Sequence, residues 1–222
     1  DVAMIGWYGT SELAALTLGH TCLFFIYITL TGFSLAVVTN VSKAFGKEDI
    51  QALRINFRMG LWLVFGFSLF GLILVSKTKE FLTYLEQDEY IVGIVSQYIQ
   101  IVQWMMPFLL LTYVIKAFLI SVKKQQVVLV ISILGLVTNF VFNYLFIFGN
   151  FGFPELGISG VACSSLFTSI AMMLSGLLYI HFSDLKEKQI FKDFFIFDAE
   201  IFKKLFKLGW PICLTIMAES GM

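Results

Sequence analysis

Four polar side chains interrupt the long apolar runs of this sequence and are its best candidates for chemistry: Asp1, Asn139, Asn143 and Glu219. Carboxylate and amide oxygens are hard ligands that suit small cations such as Na⁺. A carboxylate held away from water must be paired or solvated, and such groups commonly bind a cation or carry a proton. These residue types therefore predict cation or proton binding rather than covalent catalysis.

Asn139 and Asn143 lie four residues apart in the stretch VTNFVFNYLF. In a helix this spacing projects both amides from one face. Two interpretations stay open from the residues alone. The pair binds a cation through its oxygens, or it hydrogen-bonds across helices and stabilises their packing, as polar side chains in membranes commonly do.

The positions of Asp1 and Glu219 relative to the membrane are inferred from different observations. If the chain upstream continues the first helix, Asp1 lies within the membrane; otherwise it caps a helix at the interface. Glu219 follows Lys207 by twelve residues, which is ~18 Å along a helix at 1.5 Å per residue. So short a side chain does not reach the interface from there, and this favours a functional carboxylate.

The elements that must position these groups are membrane helices. The chain is 59% hydrophobic and 14% charged, with a mean hydropathy of +0.88, which leaves too little polar surface for a soluble globule. Its uncharged runs approach or exceed the ~20 residues that a helix needs to cross a bilayer, and they predict five full crossings: 13–42, 59–76, 90–115, 125–154 and 156–183. The apolar segments at the two ends predict a fragment with a truncated helix at each end.

The hydropathy pattern predicts seven helices, at about 1–14, 20–42, 58–76, 91–121, 126–148, 159–181 and from 207. Pro107 and Pro211 are positions where their helices can bend. Twelve Lys and Arg residues follow helices 2, 4 and 6, against Lys77 and Lys79 after helix 3. Because cytoplasmic loops carry an excess of basic residues, we predict a multi-pass protein of the cell (inner) membrane with the loops after helices 2, 4 and 6 in the cytoplasm.

The segment 182–206 is the longest polar stretch and mixes charged with aromatic residues. This composition is typical of an amphipathic helix on the inner membrane surface. Its position after six helices predicts a linker between two halves of a larger protein. The predicted units are a first six-helix lobe at 1–181, a cytoplasmic linker at 182–206 and the start of a second lobe at 207–222.

Catalytic and metal sites lack candidate residues. The sequence has only two histidines, and its three cysteines show no CxxC spacing, too few ligands for a zinc or haem site. No GxSxG, HExxH or Walker motif occurs. We therefore expect no enzymatic activity. Lys116 lies close to the end of helix 4, and we expect its long side chain to reach the cytoplasmic interface.

Several stretches resemble the multidrug and toxic compound extrusion (MATE) transporters, most of all their NorM-type branch, over essentially the whole length. The hydropathy spacing agrees throughout, and the stretches that carry the likeness are DVAMIGWYGTSELAALTLG, TGFSLAVVTNVSKAFGKED, NFVFNYLFIFGNFGFPELGISGVACSS and FKKLFKLGWPICLTIMAES. The third, which covers helix 5, a turn and helix 6, is the most specific.

The resemblance implies an all-α integral membrane protein in which a six-helix bundle, the first lobe of a twelve-helix transporter, is followed by a truncated helix 7. Such transporters exchange Na⁺ or H⁺ for cationic organic compounds by alternating access. The likeness places Asp1 at the acidic residue of the first-lobe site, with Asn139 and Asn143 beside it. It also places Ser165 where relatives often have a hydroxyl, and Glu219 at the acidic residue of helix 7.

Asn143 departs from branches of the family that carry Asp at this position, which leaves the choice between Na⁺ and H⁺ open. Expected partners are a small cationic organic substrate, the coupling ion and the lipid bilayer, with no other cofactor, no nucleic acid and a monomeric state. A lipid-linked oligosaccharide flippase of the same superfamily is the alternative, although Lys116 is the only intramembrane cation to meet its pyrophosphate. A non-transporting membrane scaffold is the third possibility.

Overall fold

The computed structural model describes residues 2–220, which form ten α-helices and contain no strand. Two short 3₁₀ turns, Asn150–Gly152 and Asp184–Lys188, lie between helices. The helices are α1 Val2–Tyr8, α2 Thr10–Leu30, α3 Gly32–Gly46, α4 Ile50–Ser76, α5 Thr78–Tyr84, α6 Glu89–Val102, α7 Met105–Ser121, α8 Gln125–Phe148, α9 Ile158–Phe182 and α10 Ala199–Ser220. The all-α fold class predicted from the sequence is confirmed.

Four helical stretches within the described part of the chain are long and apolar enough to cross a membrane: Thr10–Gly46, Ile50–Tyr84, Gln125–Phe148 and Ile158–Phe182. The pair α6 and α7 makes a fifth span if the bent pair is taken as one crossing. This number equals the five crossings predicted from the uncharged runs.

The predicted boundary between the first two helices is wrong. The chain breaks at Gly9, whose backbone is extended (φ −176°, ψ 150°), and α2 then runs through the predicted gap at 15–19. Small and polar residues at 9–12 begin a helix where the apolar pattern predicted the interior of one. Gly19, inside the predicted gap, provides packing space instead, because a Cβ there would lie 3.0 Å from the ring of Tyr98.

The predicted single helix 91–121 is two helices that meet at an angle of 50°. Pro107 lies in the first turn of α7 and has no N–H to donate to the carbonyl of Gln103. That carbonyl accepts a hydrogen bond from Met106 N at 3.1 Å instead. The bend expected from Pro107 is present, and it falls just before the proline.

The amphipathic helix expected over 182–206 does not form as one element. A 3₁₀ turn and further turns follow α9, and α10 begins at Ala199, eight residues before the predicted start of helix 7. The reason lies in the cap at Asp198, whose Oδ1 accepts a hydrogen bond from Ile201 N at 2.9 Å. This bond satisfies one of the otherwise unpaired N–H groups of the first helical turn.

Helix α10 packs against α2, α3 and α4. The ring of Phe33 at the start of α3 is buried against Phe67 and Phe206, with ring centroids 4.6 Å and 6.0 Å away. Gly32 allows the backbones to approach closely, since a Cβ there would lie 2.7 Å from Cys213 N. Helix α8 is at the opposite extreme, because it packs along α9 and touches α1 and α7 but leaves much of its apolar surface exposed.

Candidate functional site

The two asparagines predicted to share a helix face are hydrogen-bonded to each other. Asn143 Nδ2 donates to Asn139 Oδ1 at 3.1 Å within α8. Asn143 is buried, with 1% of its surface exposed, and Asn139 is half-buried. The bond fixes the orientation of both amides, so their polar groups act as one unit on a helix whose other faces are apolar.

This pair lines a cavity of about 570 Å³ between α1 and α8. Apart from the two amides, the wall consists of apolar and aromatic side chains, and its residues are Ala3, Met4, Trp7, Leu136, Asn139, Phe140, Asn143, Tyr144 and Phe148. A small number of convergent polar groups in a largely apolar cavity is typical of a binding site for a small ligand.

Asp1, the carboxylate predicted to complete this site, lies outside the described residues. Val2, the next residue in sequence, begins α1, and three residues of α1 line the cavity together with the asparagines. The assignment of Asp1 to the site therefore stays a prediction.

Ser165 and Glu219 are not brought to this cavity. Ser165 lies on α9, half-buried, and its carbonyl accepts a hydrogen bond from Ser169 Oγ at 2.8 Å. Glu219 is exposed near the end of α10, ~30 Å along the helix axis from Ala199 at 1.5 Å per residue. Because α10 packs on α2, α3 and α4, Glu219 belongs to a different part of the molecule from the asparagine pair.

Lys116, expected to extend to the interface, has a partner between two helices. Its Nζ donates to Ser132 Oγ on α8 at 3.0 Å, and that hydroxyl donates to the carbonyl of Val128 at 2.9 Å. The lysine thus connects α7 with the N-terminal part of α8. It does not line the cavity that holds the asparagines.

A group of hydrogen-bonding side chains that sequence reasoning missed lies on α4. Arg54, Arg58 and Trp62 occupy successive turns of that helix, and each donates to a backbone carbonyl of the segment after α9. The acceptors are the carbonyls of Lys188 (2.7 Å), Asp193 (2.5 Å) and Phe194 (3.4 Å), respectively. In the sequence, these two arginines count only among the basic residues that predict the orientation in the membrane. Their four-residue spacing already indicates that they share one face of a helix.

Comparison with known proteins agrees with this architecture. The MatE family model matches residues 1–145. A probable multidrug resistance protein NorM of Rhizobium meliloti (strain 1021) is 33% identical over 100% of this chain and 48% of its own length. One of the same name from Agrobacterium fabrum is 29% identical over 99% of this chain and 47% of its own. The chain spans about half the length of the curated relatives it matches.

Solved structures show the same fold at low sequence identity. A crystal structure of MATE in the bent conformation superimposes with a TM-score of 0.84 at 18% identity, covering 97% of this chain and 47% of that one. The inward-facing conformation of a multidrug resistance MATE family transporter of the MOP superfamily gives 0.83 at 17%, covering 99% and 49%. With the family match over residues 1–145 and this shared fold, the chain belongs to the MatE family.

Proposed function

We propose that this chain forms the first lobe of an antiporter in the cell membrane, which exports cationic organic compounds in exchange for Na⁺ or H⁺ by alternating access. The observation that carries the proposal is the hydrogen-bonded pair Asn139 and Asn143 on the cavity between α1 and α8. The names of the relatives, which describe multidrug resistance proteins, support the class of substrate.

In this proposal the amide oxygens supply ligands and a carboxylate supplies charge. An amide oxygen has two lone pairs, so Asn139 Oδ1 can accept the bond from Asn143 and still coordinate a cation. Asp1, the residue before Val2 in sequence, is proposed to provide the negative charge. Ser165, which does not line the cavity, is not assigned as a ligand. Glu219 is proposed as the acid of a separate second-lobe site. The ion shifts the transport equilibrium only through its different affinities for the two conformations.

The test compares two asparagines of similar burial in the full-length protein. Asn143→Ala is expected to weaken the apparent ion affinity about tenfold, since the loss of one ligand worth ~1.4 kcal/mol has that effect. Asn40→Ala is the matched control, because Asn40 is 6% exposed and, among residues 2–220, donates to the carbonyl of Ala36 in its own helix at 3.0 Å. Efflux of an ethidium-like dye from vesicles is measured under a Na⁺ gradient and then under a pH gradient. Equal effects of the two variants would contradict the proposal.

A second variant tests the carboxylate separately. Asp1→Asn in the full-length protein keeps the size of the side chain and removes its charge. Ion-driven efflux is expected to fall to the level seen without a gradient. If efflux stays intact, the assignment of Asp1 is wrong, whereas the asparagine site is still judged by its own variant.

The alternatives predicted from the sequence give different results in the same vesicles. A flippase for lipid-linked oligosaccharides requires cationic side chains to meet a pyrophosphate, and the described wall of the α1–α8 cavity offers none. Such a protein would move no cationic dye. A membrane scaffold would retain the dye whatever gradient is imposed.

A further inference from the structure

The segment that follows α9 is held on α4 mainly through its backbone. The arginines and tryptophan at successive turns of α4 donate to carbonyls of this segment, and Met59 Sδ accepts from Asp198 N at 3.2 Å. Because these bonds use backbone groups, the side chains of the segment remain available for other contacts. Most of them are exposed, among them Phe195 with 86% of its surface accessible.

One side of this segment forms a basic cavity. It has a volume of about 670 Å³, and its ionisable wall residues are Arg54, Arg58, Lys192, Asp193 and Asp198. Asp198 Oδ1 already accepts the capping bond from α10. No carboxylate oxygen within residues 2–220 lies within salt-bridge distance of either arginine.

Arg58 gives the cavity an unsatisfied donor. Its side chain is buried, with 5% exposed, and one guanidinium nitrogen, Nη1, donates to the carbonyl of Asp193. Its Nε is buried and has no hydrogen-bond partner among the described residues. A buried donor of this kind costs free energy unless an acceptor reaches it, and guanidinium groups bind phosphate oxygens particularly well.

The other side of the same segment covers an apolar groove of about 380 Å³. Helices α4, α7 and α9 form its floor, and its wall includes Trp62, Phe65, Ile115, Leu177, Phe191 and Phe194. Trp62 lies one turn beyond Arg58 on α4, so the two cavities are neighbours along one helix. At 1.5 Å per residue, Phe65 lies ~10 Å farther along α4 than Arg58.

We propose that these two cavities bind one anionic phospholipid of the adjoining membrane leaflet. Its phosphate lies with Arg54, Arg58 and Lys192, and one acyl chain occupies the groove beside Trp62. The polarity along α4 changes from cationic to apolar over the distance that separates a lipid phosphate from its acyl chains. Three cations against two carboxylates, one of them engaged in a helix cap, favour a head group with net negative charge over a zwitterionic one.

Quenching of Trp62 fluorescence by brominated lipid tests the proposal in the full-length protein. The probes are vesicles that contain phosphatidylglycerol or phosphatidylcholine with dibrominated acyl chains, since bromine quenches tryptophan on contact. The Trp62→Phe variant is measured in parallel, and the difference between the two proteins isolates the signal of this residue. We expect phosphatidylglycerol to quench the Trp62 signal at a lower mole fraction than phosphatidylcholine.

Charge variants then locate the head group. R54Q/K192Q removes two cations from the cavity and is expected to weaken the preference ~25-fold, at about fivefold for each basic residue near an anionic lipid. K43Q/K47Q is the matched control, because it removes two exposed cations of the same predicted membrane side outside the cavity. K192Q alone serves as a milder variant, since the exposed Lys192 side chain makes no hydrogen bond that holds the segment on α4.

Three results would overturn the proposal. The first is equal quenching of the Trp62 signal by the two lipids in the unaltered protein. The second is that R54Q/K192Q and K192Q lose no more of the preference for phosphatidylglycerol than K43Q/K47Q does. The third is binding of inorganic phosphate that R54Q/K192Q weakens while neither brominated lipid quenches the Trp62 signal, which would show an anion site without a bound acyl chain. None of these results depends on the coupling ion or on dye efflux, so the lipid site and the transport function are judged separately.

Discussion

Replacing Gly160 with alanine should disturb the packing that holds the asparagine face of α8 in place. A Cβ on Gly160 would lie 2.6 Å from the carbonyl carbon and oxygen of Phe146 and 2.9 Å from Ile147 N. All three are backbone atoms, so α8 and α9 must move apart to relieve the contact. Phe146 follows Asn143 by less than one turn, and a shift there moves the asparagine pair as well.

The expected loss of stability in Gly160→Ala follows from a comparison with Gly66→Ala. A Cβ on Gly66 meets nothing within 4 Å, although Gly66 also lies inside a helix. Both replacements gain helix propensity, by up to about 1 kcal/mol. Only Gly160→Ala adds a steric clash, and extra atoms in a well-packed region cost about 1–3 kcal/mol. We therefore expect Gly160→Ala to be about 1–3 kcal/mol less stable than Gly66→Ala.

The assay is unfolding of the full-length protein in detergent, followed by temperature and by denaturant. Dye efflux by the Gly160→Ala variant, measured below its unfolding temperature, then shows whether displacement of α8 affects transport. If the two alanine variants unfold with equal free energies, the helices do not approach as closely as described, and the reasoning from packing is wrong. Gly46→Ala is a second control, since a Cβ there also meets nothing within 4 Å.

Three further changes test other parts of the structure. Asp184→Asn should lower stability near neutral pH, because a 2.7 Å hydrogen bond from Lys124 lowers the pKa of the Asp184 carboxyl; the variant and the unaltered protein should converge in acid unfolding curves. Arg58→Met removes a charged donor to the carbonyl of Asp193, at a cost of about 1.5–3 kcal/mol, and should speed trypsin cleavage of the segment after α9. Pro107→Ala restores an N–H in α7 and should reduce the 50° bend, measured as a spin-label distance between α6 and α7.

The sign of the pH effect follows from the direction of each shift. The lowered pKa of Asp184 means that its stabilising contribution is present above the ordinary carboxyl pKa and is lost as the pH falls through the lowered folded-state value. The hydrogen bond to Asp184 raises the pKa of Lys124, so its contribution is lost only as the pH rises through that raised value. A variant that stays less stable in acid would contradict the role of this pair.

The other two predictions have internal controls. For Arg58→Met, cleavage at Lys77 and Lys79, at the start of α5, should keep its rate, because Lys77 lies about 29 Å along the axis of α4 from Arg58; faster cleavage at both places would indicate general unfolding. For Pro107→Ala, an unchanged distance would show that the bend comes from packing of α6 and α7 rather than from the missing N–H.

The placement of the long apolar helices was predictable because lipid offers the backbone no hydrogen-bond partners. In lipid each backbone group must be paired within its own segment, so uncharged runs of sufficient length become helices regardless of detail. The predicted helix 126–148 and the observed Gln125–Phe148 agree for this reason. Asn139 and Asn143 share a face for the same reason, since helical spacing alone fixes it.

Local exceptions were not predictable from hydropathy. Gly9 lies between two helices, whereas Gly19 lies within one. The ring of Tyr98 fills the space beside Gly19, and hydropathy contains no information on that contact. The early start of α10 depends on the N-cap at Asp198. In the sequence, Asp198 was interpreted only as one of the charged residues of the linker. The contacts of Arg54 with a carbonyl 134 residues away depend on tertiary packing, which no local pattern contains.

The distribution of packing also indicates where the first lobe can move at least cost. Only 17% of the most apolar window of α8 is buried, against 33–44% for the other three spans. Helix α8 packs extensively along α9 but makes few contacts with α1 and α7, whereas α4 is held by the segment after α9 and by α10. A cation bound by Asn139 and Asn143 would therefore act on a helix that is held mainly by one neighbour, α9. The close approach at Gly160 would limit that motion to sliding or rotation along α9, because separation of the helices loses their tightest contact.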